Sequence, residues 1–107
     1  MAGLHDTEVI DLVAEEPDGS ALLVIVKEGA WALDDIALLK AKLNTYAQFV
    51  LDGGLASHYP ELLNRPVRIR IESAAPPSTT AQDILAVAQT KLKPYGIDVT
   101  HKVNPRL

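Results

Sequence analysis

The sequence predicts an α+β fold, a two-layer α/β sandwich in which two helices lie on one face of a mixed four-stranded sheet. Three observations carry this. Two β-branched apolar runs flank a strong turn signal near the start of the chain. Two amphipathic stretches have helix signals at both ends, and each is followed by an alternating strand. The element order is therefore β-β-α-β-α-β, and a helix between the last two strands makes them parallel.

The first strand signal is Glu8-Val9-Ile10-Asp11-Leu12-Val13-Ala14, and the second is Ala21-Leu22-Leu23-Val24-Ile25-Val26-Lys27. Between them, Pro17-Asp18-Gly19 supplies a fixed φ, a turn-forming side chain and a residue that tolerates positive φ, so a hairpin is expected. The second strand is apolar at both alternating sets, Leu22, Val24, Val26 and Leu23, Ile25. Both of its faces must then be covered.

A long helix is expected from Leu33 to Leu51, with Ile36, Leu39, Leu43, Tyr46, Ala47 and Val50 recurring every three or four residues. Asp34 and Asp35 suit the positive end of its dipole, and Asp52-Gly53-Gly54 suits its end. The segment Tyr59-Pro60-Glu61-Leu62-Leu63 fits one short helical turn with proline first. Val67 to Glu72 alternates strictly, placing Val67, Ile69 and Ile71 on one side and Arg68, Arg70 and Glu72 on the other. After the loop Ala74–Ser78, Thr79 with Gln82 or Thr80 with Asp83 caps a second helix carrying Ile84, Leu85, Val87, Ala88 and Leu92. Pro94-Tyr95-Gly96 stops it, Ile97 to Val103 forms the last strand, and the tail from Asn104 is expected to fray.

The 107 residues fit a single domain spanning 1–107. A chain of this size buries roughly 60–70% of its unfolded surface, enough for one ordinary core. Cysteine is absent, which excludes thiolate metal sites, iron–sulfur clusters and thiol nucleophiles. The formal net charge of −4 repels a phosphate backbone, so nucleic acid is not an expected partner. The longest apolar run, Ala21–Val26, is far below the ~20 residues of a membrane span, and no secretory signal opens the chain. A cytoplasmic location is the expectation.

The candidate chemistry is sparse. Asp11, on the strand face of Val9 and Val13, has the surroundings of a carboxyl group with an altered pKa, but Ile25 occupies the place where an acid-x-Lys arrangement ending at Lys27 would need its acid. A structural or solvent-facing Asp11 is the better account. Histidines 5, 58 and 101 have no ligand spacing, and no serine lies in a nucleophile-elbow pattern. Gly53-Gly54 lacks the rest of a phosphate loop. No catalytic residue, cofactor or metal is therefore expected.

Glu8-Val9-Ile10-Asp11-Leu12, Ala30-Trp31, Lys42-Leu43-Asn44-x-Tyr46-x-x-Phe49-Val50-x-Asp52-Gly53, Tyr59-Pro60-Glu61-Leu62 and Pro66-Val67-Arg68-Ile69 together resemble a family of small bacterial proteins of unknown function. The resemblance covers most of the chain and implies a bacterial, stand-alone domain. Helix-surface and C-capping roles account for Lys42, Asn44 and Asp52.

Two functions follow as expectations. The first is a non-catalytic interaction protein, a homodimer or a module that binds a protein partner, because two helices cover only one face of a sheet whose second strand is apolar on both. The second is a small-ligand binder or enzyme with a loop-side pocket formed by Trp31, the Tyr59 segment and the Ala74–Ser78 loop. There Asp11 or Asp34 would serve as the acid and Arg70 as an anion anchor. Trp31, Asp34, Tyr59 and Arg70 are the candidate contact residues.

Overall fold

Every residue of strand β2 (Ala21–Lys27) is buried, and the sheet is built around it. The computed structural model describes Leu4 and residues 6–107. In the order β1-β2-β3-β4, β1 (Leu12–Glu15) pairs antiparallel with β2, while β3 (Val67–Ser73) is parallel to β2 and β4 (Ile97–Val103) is parallel to β3. Helix α1 (Asp34–Leu51) links β2 to β3, and α3 (Thr79–Leu92) links β3 to β4. Leu39, Leu43 and Tyr46 of α1 and Ala81 of α3 join Leu23, Ile25, Ile69, Ile71, Ile97 and Val99 in one core, so both long helices cover the same sheet face. The mixed sheet and two-layer architecture agree with the sequence expectation.

The connection from α1 to β3 is more ordered than a loop. Gly53 takes a left-handed φ of 83°, which reverses the chain into a short helix α2 (Gly54–His58), and a 3-10 turn at Pro60–Leu62 follows. A second 3-10 turn, Lys93–Tyr95, ends α3, with Gly96 at φ 75° redirecting the chain into β4.

Four expectations about element bounds, capping and packing need correction here. The first strand starts at Leu12 rather than Glu8, because side chains end the ladder there, as described below. The cap of α3 is Ser78, whose hydroxyl accepts the Ala81 N–H at 3.2 Å, and neither Thr79 nor Thr80 takes that role. Val87 is 52% exposed on the outer side of α3, not in the core. The tail is docked: Asn104 N–H reaches the Ser73 carbonyl at 2.8 Å, and Leu107 packs on Leu22, Val24 and Val26.

On the face of the sheet opposite the helices, the apolar stripe of β2 is covered by the chain itself. Leu22, Val24 and Val26 are only 2 to 5% exposed. Their in-register neighbours are Ala14 and Leu12 on β1 and Arg68, Arg70 and Glu72 on β3. Glu16 follows β1, yet it pairs with Arg68 at 3.0 Å and Arg70 at 3.8 Å, so its side chain passes over β2 to reach β3. Arginine stems flank the apolar stripe while their charged ends meet Glu16 and Glu72. The β2 stripe needs no outside partner to cover it, although Leu12 at the sheet edge stays 45% exposed.

The free edge of β4 is guarded as well. Gln89 of α3 accepts the Val99 N–H on that edge and donates to Asp98 at 3.3 Å. A side chain thus occupies a backbone donor that another strand could use.

Candidate functional site

Ligands of parallel sheets usually sit beyond the carboxyl ends of the strands. Here those ends gather Lys27 from β2, Ser73 from β3 and His101 from β4, with Trp31 and Asp35 at the entrance to α1. Lys27 Nζ donates to the carbonyls of Glu28 and Ala30, lies 3.5 Å from Asp35 Oδ2 and stands 5.6 Å from the Trp31 ring centroid. Asp35 also caps its own helix by accepting Ala32 N–H at 2.7 Å. The lysine is held on every side.

Ser73 Oγ and His101 Nε2 are 2.9 Å apart, a pair with the outline of a nucleophile and its base. The proton accounting is different. Ser73 Oγ lies 2.7 Å from the Ala75 carbonyl, which can only accept, so the single hydroxyl proton goes there and His101 Nε2 is the donor to Ser73. Burial also holds the imidazole below its usual value, favouring the neutral ring. Ser73 is fully buried. The pair clamps two strand ends and does not activate a nucleophile.

The second polar cluster is a buried network between β1 and α1. Asp11 Oδ1 meets Lys42 Nζ at 2.6 Å, and Asp11 Oδ2 accepts Val26 N–H at 3.0 Å. The Tyr46 hydroxyl accepts Asp11 N–H at 2.8 Å and donates to the Val24 carbonyl at 2.5 Å. β1 pairs with β2 only from Leu12 opposite Val24. Beyond that point the Asp11 carboxylate and Tyr46 phenol take the place of strand-to-strand bonds, which is why the strand is short. Burial pushes the Tyr46 phenol above its ordinary range, with the Asp11 charge adding to the effect. Lys42 is buried, not a helix-surface residue. Its position three after Leu39 and four before Tyr46, both inward-facing, was the available signal.

The four candidate contact residues do not meet. Trp31 is half-buried against the core near the carboxyl ends of the strands, its indole N–H donating to Ala75 at 3.2 Å. Asp34 is exposed in the first turn of α1. Tyr59 lies past the other end of that helix, and the 18 residues of α1 put roughly 27 Å between the two ends. Arg70 is on the opposite sheet face, paired with Glu72 at 3.0 Å. Arg70 Nε and its in-register neighbour Thr100 Oγ1 are the buried side-chain atoms left without a partner among the described residues. Of the histidines, His5 is outside the described residues, His58 is exposed with Nδ1 2.9 Å from the Gly54 carbonyl, and His101 is on β4. Among the described residues no three histidine or acidic side chains gather as a metal site would require, and no helix is long and apolar enough to cross a membrane.

The apolar surface is elsewhere. A hollow of about 560 Å³ opens between α1 and α3, floored by Leu43, Ala47, Ile84, Ala88 and Leu92 and edged by Val87. A second, of about 550 Å³, lies past the carboxyl ends of both helices, where Leu51, Leu63 and Tyr95 line it. All three are exposed, Tyr95 by 64%. The model of a family of unknown function, DUF6572, matches residues 2–105. The chain belongs to this family. No curated protein and no solved structure matches it. Within the DUF6572 match lie the Asp11–Lys42–Tyr46 network and both hollows, whereas Leu107, which packs on the sheet's outer face, falls outside it.

Proposed function

We propose that this DUF6572 protein is a cytoplasmic, bacterial, non-catalytic interaction protein whose contact surface is the outward side of α1 and α3. One observation carries the reading: Val87, Leu51, Leu63 and Tyr95, large apolar side chains left exposed, line two hollows, one between α1 and α3 and the other beyond their carboxyl ends. Exposed apolar side chains around a concavity mark a protein contact surface. The side chains with chemical potential support the same reading. Lys27, Lys42, Asp11, Ser73 and His101 are engaged with each other or with backbone, and none of them lines either hollow.

The sheet's outer face, which sequence patterning favoured for a partner, is occupied by its own ion pairs. Desolvating Arg68, Arg70, Glu16 and Glu72 would oppose association there. The test is affinity capture from the native cell with mass spectrometry, using wild-type, Val87→Glu and Lys102→Glu baits. A partner, whether a copy of the chain or another protein, should be lost with Val87→Glu and kept with Lys102→Glu. A partner lost only with Lys102→Glu, on the sheet face, would contradict the assignment.

A further inference from the structure

With the α1–α3 face as contact surface, on which this inference rests, the order of residues along both helices identifies the occupant. Along α1 and the Leu33 that precedes it, Leu33, Ala37, Lys40, Asn44, Ala47 and Leu51 recur at spacings of four and three. At about 100° per residue they fall within about 80° of the helix circumference, the layout of a coiled-coil seam. Ala47 is buried on the floor of the hollow, and the rest of this stripe is separate from the inward set of Leu39, Leu43 and Tyr46. Leu33, at its head, is 93% exposed.

The stripe reads alike from either end. About position 42, Leu33 corresponds to Leu51, Ala37 to Ala47 and Lys40 to Asn44. An antiparallel second α1 would therefore meet leucine with leucine and alanine with alanine, and an ammonium donor with an amide that can accept. The alanines allow close approach of the two backbones.

Helix α3 has the same property about Val87. Asp83 lies four residues before it and Lys91 four after, and all three are exposed. An antiparallel second α3 sets Val87 against Val87 and Asp83 of each copy against Lys91 of the other, so opposite charges meet twice. The two centres also stand at one height, because the hollow between the helices is lined from Lys40 to Ala47 on one side and from Ile84 to Leu92 on the other. A single two-fold axis serves both helices.

We infer that the occupant is a second copy of this chain, packed helix layer against helix layer about a two-fold axis at the height of Lys42 and Val87. The interface is isologous, each residue contacting its counterpart's partner in both directions.

Light scattering coupled to size exclusion, with circular dichroism as the check on folding, tests this on the full chain. Wild type runs as a dimer. Leu33→Glu and Val87→Glu, both at exposed positions, run as folded monomers. Asp83→Lys and Lys91→Asp each weaken dimerisation about tenfold, and the double exchange restores it to within about threefold of wild type. A dimer indifferent to Val87→Glu and to the charge exchange overturns both this pairing and the helix-face reading. A wild type that stays monomeric at high concentration overturns the second copy alone if a different protein is still captured in a Val87→Glu-sensitive way. Without such capture it overturns both.

Discussion

Asp11 Oδ1 lies 2.6 Å from Lys42 Nζ with neither side chain exposed, joining residues 31 positions apart across the boundary between sheet and helix. Removing one member of a buried pair leaves the other charge without compensation, typically at about 3–5 kcal/mol, while replacing both costs much less. Lys42→Met should therefore destabilise the fold by about that amount. Asp11→Leu combined with Lys42→Met should recover a large part of it. Urea denaturation of the two single variants and the double variant measures the coupling, and additive losses would show that the pair is not a unit.

Tyr46→Phe removes the hydroxyl that joins the Asp11 N–H to the Val24 carbonyl and leaves both buried groups unsatisfied. A loss of about 1–3 kcal/mol is expected. The same residue sets an alkaline limit. Its folded pKa is raised above the unfolded value of about 10. Its stabilising contribution is thus fully present below pH about 10 and is lost as pH rises beyond it. Stability measured from pH 8 to 11 should fall more steeply for wild type than for Tyr46→Phe, and parallel curves would refute this.

His101 acts at the other end of the pH scale. Burial lowers its pKa from the ordinary 6.5, so protonation favours the unfolded chain. Its contribution is present above pH about 6.5 and is lost as pH falls through the folded value. His101→Gln should flatten the stability profile below pH about 6.5. Nuclear magnetic resonance titration of the ring that found a midpoint above 6.5 would contradict the sign.

Gln89→Ala uncovers the Val99 N–H at the free edge of β4. Amide exchange at Val99 should accelerate, and the variant should aggregate more readily than wild type because an open strand edge is a template for pairing. Unchanged exchange at Val99 would show that Gln89 does not guard the edge.

Much of the architecture was legible because it rests on local periodicity. Strand β3 alternates so regularly that its buried and half-buried residues follow the sequence pattern throughout. β2 was correctly read as covered on both faces, but the cover was not. Glu16 closing over β2 onto Arg68 and Arg70, and Leu107 docking on Leu22, Val24 and Val26, are relationships between distant residues with no local signature. The Asp11–Lys42 pair escaped for the same reason, although the inward phase of position 42 was available. The surface now favoured for contact was obscured by its neighbour: the inner stripe of α1 is more apolar than the outer one, and Val87 was grouped with the core side of α3.

The absence of native cysteine allows the most direct measurement. Val87→Cys places a thiol on the inferred two-fold axis, where two such residues can reach disulfide distance, and Lys102→Cys places one on the sheet's outer face as a comparison. Under mild oxidation Val87→Cys should convert rapidly to a covalent dimer while Lys102→Cys stays largely monomeric. Cross-linking of Lys102→Cys as fast as that of Val87→Cys, or none at Val87, would contradict the assignment of the helix face as the contact surface.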